Sequence, residues 1–402
     1  ASTGTIHMMD QYTSSVDETV TAPSGKYITV VRDSSFKTAS MFKITGGTFT
    51  IDATDTNSTI IFDGQEITPT KGYDGGSFYV KGGNIQLDGV NRNGGGKTIT
   101  IKNNIIISSS AYGGGVYISS GTGTLTGCNI MNNTAKSTTS SSYVEGGGVY
   151  ISGGTNTLTN CSITNNKVDN NYYNAYGGGV YIGGGTNTLK KCVIDQNNAN
   201  AYNASGGGIY ISSGSNTLES CSITNSMVSS TTYARGGGIF IAGSKTNTLI
   251  GCSITNNTVK STSSYADGGG VYTYNGTIIL TSCSITDNTA SATSSADGGG
   301  VYISSGTNTM LGTMNITGNT AKKGSDSSDN NLYLSSGKTV ALSDSDGNTL
   351  STNSKIGVTT EKAPTSGNDQ KFATGATSAM ASCFTSDSSS YIVTYSSSVL
   401  YL

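Results

Sequence analysis

The sequence predicts an all-β solenoid: a single-stranded parallel β-helix of about ten coils, each of ~30 residues. Three observations predict it. A Gly-Gly-Gly triplet recurs at Gly113, Gly146, Gly177, Gly206, Gly236, Gly268 and Gly298, so that successive triplets are 33, 31, 29, 30, 32 and 30 residues apart. Each triplet is followed by the same parts: an apolar-aromatic-apolar run, usually Asn-Thr-Leu, then a Cys-Ser-Ile-Thr-Asn-Asn-like segment and a polar loop. No stretch carries the 3.6-residue apolar period that helical repeats of this length need.

The elements of one repeat follow in order from Gly146. Val149-Tyr150-Ile151 alternates with the period of a strand. Ser152-Gly153-Gly154-Thr155 is turn chemistry, because Gly tolerates positive φ. Thr157-Leu158-Thr159 is a second short strand and, after a bend at Asn160, Cys161-Ser162-Ile163-Thr164 is a third. Stacking such coils aligns equivalent residues into ladders. One inward row is Leu125, Leu158, Leu189, Leu218, Leu249, Leu280 and Leu311. Another is Ile130, Ile163, Ile194, Ile223, Ile254, Ile285 and Ile316. The second Asn recurs as Asn133, Asn166, Asn197, Asn257, Asn288 and Asn319, with Ser226 the exception, and is read as a stack of amides bonding between coils. Earlier copies of the strand and turn lie at Phe42-Lys43-Ile44 and Phe78-Tyr79-Val80, and a later one at Leu332-Tyr333-Leu334. The expected organisation is an N-terminal β cap over residues 1–40, the helix over 41–344 and a C-terminal β-rich cap over 345–402.

Composition narrows the function classes. The 402 residues include 56 Gly, 3 Pro and no Trp, only 11% are charged, and the net charge is -2. Nucleic acid needs a clustered basic stripe, which is absent, and no run of about 18 apolar residues is present to span a bilayer. The chain begins at Ala1 without a charged-then-apolar leader, and few charges among many Ser, Thr, Asn and Tyr suit an exported protein. The expectation is a secreted or cell-surface protein whose start at Ala1 reflects either a removed leader or a trimmed end, and whose means of attachment lies outside this sequence.

The motif GGGVYI followed by Cys-Ser-Ile-Thr-Asn-Asn resembles the repeats of bacterial polymorphic outer-membrane proteins and autotransporter passengers. In those proteins a Gly-Gly-[Ala/Gly]-[Ile/Val] motif alternates with an apolar-x-x-Asn motif. The resemblance covers roughly residues 30–400. It implies a right-handed parallel β-helix at a bacterial surface, often adhesive.

Four features are candidate carriers of chemistry. Cys128, Cys161, Cys192, Cys221, Cys252 and Cys283 share one ladder position, which Met314 takes in the last coil. An apolar substitute points to buried volume rather than thiol chemistry. A straight ladder also cannot converge four sulfurs on zinc, and its parallel Cβ vectors suit disulfides poorly. The middle of the first strand reads Lys43, Tyr79, Tyr117, Tyr150, Tyr181, Tyr210, Phe240, Tyr272, Tyr302 and Tyr333. With apolar flanks pointing in, this position points out. The aromatic members form a candidate exposed binding stripe, the alternative being stacking that stiffens the sheet. The inter-repeat loops, such as Thr134–Glu145, Lys167–Tyr176 and Thr258–Asp267, precede it; Tyr172, Tyr173, Tyr176, Tyr202, Tyr233 and Tyr265 fall within these loops, and with their neighbours make a recognition-loop composition. Ser and Thr on the third strand (Ser162/Thr164, Ser253/Thr255) make an interrupted hydroxyl array, so ice binding is a minor alternative.

Enzymatic residues are sparse. Asp267 and Asp297 precede neighbouring triplets, and the sequence suggests no recurring charged partner for them; His7 is the one histidine. A polysaccharide-active enzyme, a lyase or a hydrolase, which needs a carboxylate pair or a base with calcium on adjacent coils, is therefore a minor alternative. No catalytic residue, metal or cofactor is expected. The sequence-based reading is a non-enzymatic extracellular structural or adhesive protein, engaging a host protein or glycan through the Tyr stripe and loops. The alternative is a building block that stacks on itself, head to tail, into a filament.

Overall fold

What turns each repeat back on itself is a pair of left-handed residues. In one coil they are Asn160 (φ 53°) and Asn165 (φ 54°), in the next Lys191 (φ 52°) and Gln196 (φ 55°). Asn reaches this region at lower cost than most residues, which explains why the first Asn of each Asn-Asn pair recurs. The computed structural model describes residues 3–53, 58–70, 72–89, 98–137, 139, 142–243 and 245–402. They fall into two units, residues 1–214 and 215–402.

In the first unit the strands pair parallel and in register from coil to coil. Val149–Ile151 lies between Val116–Ile118 and Val180–Ile182, with Tyr150 opposite Tyr117 and Tyr181. Thr155–Thr159 and Ser162–Thr164 stack likewise on Thr186–Lys190 and Val193–Asp195. The inward rows Leu125, Leu158, Leu189 and Ile130, Ile163, Ile194 are fully buried. Each such side chain contributes roughly 1.5–3 kcal/mol by leaving water. The second unit repeats the scheme, Ile254 between Ile223 and Ile285, and Leu249 between Leu218 and Leu280. In its last full repeat the row passes to Met310, which faces Leu280, and not to Leu311 as expected. The Asn-Thr-Leu frame sets this register: Asn308-Thr309-Met310 continues it, and Leu311 follows one place later.

The polar stretches expected as loops are strands. Lys167–Tyr176 pairs with Thr134–Ser137 on one side and Asn198–Ser205 on the other. Their inward positions are small and apolar: Ala135, Val168 and Ala199, then Ala175 and Ala204, all fully buried. These residues alternate with polar ones in period two, a pattern hidden by the unequal lengths of the stretches. Residues 138, 140 and 141 of the first stretch lie outside the described residues.

The first two glycines of a triplet serve different ends. Gly146 is left-handed at φ 68°, while a Cβ on Gly147 would sit 2.3 Å from the Gly178 carbonyl oxygen of the next coil. Behind the triplet runs the amide ladder. The Asn133 side-chain amide donates to Asn166 Oδ1 (3.0 Å) and to the Ile101 carbonyl (3.1 Å), and the same Oδ1 accepts the Asn133 backbone N–H (3.0 Å). Asn166 repeats this with Asn197, and in the second unit Asn257, Asn288 and Asn319 do the same in turn. There the chain of amides passes through Asn331 and stops at Asp387, whose two oxygens accept the Asn331 amide (2.6 Å) and N–H (2.8 Å). The cysteines are buried thiols, none of them in a disulfide. The thiols of Cys161, Cys192, Cys252 and Cys283 donate to carbonyls of the preceding coil, at 3.3, 3.3, 3.4 and 3.4 Å.

More coils form than the expected ten; about twelve are present. The additional ones come from the two ends. Tyr12–Ser14, Glu18–Thr21 and Tyr27–Arg32 pair parallel with Phe42–Ile44, Thr48–Asp52 and Thr59–Asp63, so residues 12–32 are themselves a coil. Its apolar end is open: Ile6, Val16 and Val20 are about half exposed, and Ile6, Met8, Val20, Phe42 and Phe62 line a cavity of about 220 Å³. Buried Arg32 braces this coil through the carbonyls of Ala39 (2.7 Å) and Gly76 (2.6 Å), a role with no signal in the repeat pattern. The other terminus is sealed. Val399–Tyr401 pairs antiparallel with both Lys371–Thr374 and Thr394–Ser396, burying Leu400 and Leu402. No helix among the described residues is long and apolar enough to cross a membrane.

Candidate functional site

Strand alternation sends the middle residue of each first strand away from the core, as expected. In the first unit Tyr79, Tyr117, Tyr150, Tyr181 and Tyr210 form a ladder with ring centroids 4.8–5.2 Å apart. In the second, Phe240, Tyr272, Tyr302 and Tyr333 do the same at 4.8–5.1 Å. All but the Tyr117–Tyr150 contact, which is edge-on, are stacked. The expected exposure is not what results. Tyr181, Phe240, Tyr272 and Tyr333 are at most 8% exposed, and Tyr79, Tyr117, Tyr150, Tyr210 and Tyr302 are half-buried. Coil spacing matches ring thickness plus contact distance, so each ring covers its neighbour's face. The ladder therefore shows edges and hydroxyls outward, with its faces already occupied.

Beside the ladder runs a second column, formed by the residue that precedes each triplet. In the first unit it reads Tyr112, Glu145, Tyr176 and Ser205, paired in register. In the second it reads Arg235, Asp267 and Asp297, again in register. Column and ladder are the two walls of a groove, and the column decides whether that groove is full or empty.

In the first unit it is full. The Tyr112 ring lies 4.9 Å from that of Tyr150, and Tyr176 lies 4.6 Å from Tyr210. Glu145 is enclosed between them at 8% exposure. Burial pushes its carboxyl up to about 7, against the opposing effect of hydrogen bonds from the Tyr181 and Tyr150 hydroxyls. It is a protonatable strut in a tyrosine cluster.

In the second unit an open cleft of about 510 Å³ stands in the groove. Tyr272, Tyr302 and Tyr333 form its floor, and Arg235, Asp267, Asp297 and Glu361 are its charged groups. Three exposed tyrosines, Tyr233, Tyr265 and Tyr274, also line it. Arg235 Nε lies 3.6 Å from Asp267 Oδ2, and its guanidinium sits over the rings of Tyr233 (5.1 Å) and Tyr272 (5.3 Å). Burial pushes the Asp267 carboxyl up to about 7; Arg235 opposes the shift and Asp297 adds to it. Asp297 is also raised, chiefly by burial, although the Ser295 hydroxyl donates to it at 2.9 Å. Glu361 is exposed and accepts the Ser336 N–H at 2.8 Å.

The sequence pointed to Asp267 and Asp297 but suggested no charged partner for them. The structure supplies two, Arg235 one coil before and Glu361 from a segment outside the repeat. Arg235 was legible, since it holds the pre-triplet position; Glu361 had no such signal. Of the stretch tyrosines, Tyr172 and Tyr202 are exposed away from the cleft lining, whereas Tyr173 and Tyr176 join the first unit's cluster around Tyr143.

No curated protein and no solved structure matches the chain. A family model described as the right handed beta helix region matches residues 168–369, just over half of the 402 residues. That match, together with parallel in-register coils in both units, places the chain in the right-handed β-helix family.

Proposed function

We propose that this chain is a non-enzymatic extracellular surface protein, structural in its coils and adhesive at the open groove of its second unit. The observation that carries the reading is the cleft itself, where six tyrosines, two serines and four charged side chains converge on one solvent-facing space. Open grooves with a few convergent polar groups and perturbed carboxylates are where ligands bind. Arg235 occupies Asp267, which suits recognition better than proton transfer, because the acid is already paired. End-to-end stacking is the weaker reading, since antiparallel Val399–Tyr401 takes up the outer edge of Lys371–Thr374.

A second reading has one observation in its favour. Asp267 and Asp297 stand on neighbouring coils, the kind of carboxylate pair that glycoside hydrolysis uses. Both readings meet one experiment. The full chain is screened against arrays of glycans and extracellular-matrix proteins, alongside a Tyr265→Ser/Tyr274→Ser double variant, and bound glycans are assayed for new reducing ends. Binding that the double variant loses, without cleavage, is the expected result. Cleavage would move the assignment to hydrolysis; binding that the double variant retains would move the adhesive site elsewhere.

A further inference from the structure

A solenoid repeats its sites along with its strands, and here one copy is occupied while the next is not. The occupied copy holds the Arg235 guanidinium, set over the Tyr233 and Tyr272 rings and against Asp267 of the following coil. One coil further on the same walls recur: Asp297 in register with Asp267, and Tyr302 in register with Tyr272, its ring stacked between those of Tyr272 and Tyr333. The residue in register with Arg235 at this second copy is Asp267, an acid. The second copy therefore has the carboxylate and the aromatic wall but no cation of its own. Glu361 adds a further carboxylate to the lining, and Arg235, committed to Asp267, is the lining's one cation among the described residues.

We propose that this second copy receives a primary ammonium group carried on a saccharide, as in an oligosaccharide of unacetylated amino sugars. The inference rests on the binding role proposed above and names the ligand of that same groove. A cation is called for because Asp297 and Glu361 face the groove without a partner comparable to Arg235; exposed Lys323 acts on Asp297 more weakly than the burial that raises it. An ammonium over the exposed Tyr265 ring, which is in register with Tyr233, and beside the Asp297 carboxylate gains both cation–π and charge-assisted hydrogen bonds. A saccharide is called for because the rest of the lining is hydroxyl-bearing: Tyr233, Tyr265 and Tyr274, with Ser295 and Ser304. Hydroxyls donate and accept, as sugar hydroxyls require. Among the described residues the lining holds no aliphatic side chain that would make a pocket for a peptide's apolar residues.

The test is calorimetric titration of the full chain at pH 7 with a glucosamine tetramer and with its fully N-acetylated counterpart. The amino tetramer is expected to bind about tenfold tighter or better, the worth of one charge-assisted contact. Asp297→Asn and Glu361→Gln are each expected to erase that preference, so that the two tetramers bind the variant equally. Should Asp297→Asn fail to fold, the exposed Glu361→Gln carries the test. Equal binding of the two tetramers overturns the ammonium assignment and leaves the adhesive reading standing. A lysine-containing peptide that outcompetes the amino tetramer overturns the saccharide assignment. Binding of no saccharide and no peptide overturns this inference and the adhesive reading together.

Discussion

The same groove is built twice, and the two units finish it differently. In the first, Tyr112 and Tyr176 fold over the ladder and enclose Glu145; in the second, Arg235, Asp267 and Asp297 hold the corresponding column and leave a cleft. The coils beneath are alike: Ile and Leu rows at full burial, an Asn ladder, and glycine where neighbouring backbones meet. The lesson is a division of labour by position. Residues inside the coil make a scaffold whose chemistry hardly varies, while one outward residue per repeat switches the surface between filled and open.

Experiments can break this comparison, beginning with the scaffold. Ile163→Asp and Ile254→Asp each place an unpaired charge at a fully buried position, and each is expected to cost more than about 4 kcal/mol, enough to abolish cooperative unfolding in its unit. Equal damage in both units supports a common scaffold; tolerance in either, followed by circular dichroism on heating, contradicts it.

The next largest effect belongs to Glu145. Its carboxyl titrates at about 7 in the fold against an ordinary 4.5, so the folded state holds the proton more tightly than the unfolded chain. The associated stability is full below about pH 4.5 and is lost as pH rises through about 7, on the order of 3 kcal/mol in all. Glu145→Gln is therefore expected to lessen the fall in melting temperature between pH 5 and 8, while Asp267, also raised to about 7, and Asp74, raised to about 6, keep their share of it. An unchanged pH profile would mean that the first unit's groove is not closed over this carboxyl.

Opening the filled groove is a milder change. Tyr176→Ser removes the ring stacked on Tyr210 and is expected to destabilise the first unit by about 2 kcal/mol in urea unfolding. At the open groove, Tyr265→Ser removes a ring that is 45% exposed, and its cost in the same measurement is expected to stay within about 0.5 kcal/mol. If the two variants lose equal stability, the grooves do not differ as described.

Much of the scaffold was legible because it is periodic. The triplet spacing, the alternation in Val149-Tyr150-Ile151 and the recurrent Ile163 position gave strand order, direction and core. The Asn ladder was legible for the same reason, although the left-handed role of the first Asn in each pair, such as Asn165, was not. Periodicity hid as much as it revealed. It made the tyrosine ladder look exposed, because alternation tells which side a residue faces and not what its neighbour covers. It placed Leu311 in a row that belongs to Met310. The paired strands of the polar stretches were missed because insertions blur their period, and the groove because its column is the position where repeats differ. Read down the pre-triplet column, the change from Tyr112, Glu145, Tyr176 and Ser205 to Arg235, Asp267 and Asp297 was present in the sequence throughout.

The end of the amide ladder has a consequence for how such a chain can change in length. Each Asn donates to the oxygen of the coil that follows it, so every coil makes a demand on its successor. Asp387 accepts twice from Asn331 and, being a carboxylate, carries no amide hydrogen to pass on. It functions as a full stop in a sentence that any number of clauses may precede. A duplicated or deleted repeat upstream leaves the grammar intact, since the new coil supplies an acceptor and finds one. Repeat number is thus a quantity that gene duplication can adjust in this unit, and the groove lengthens or shortens with it.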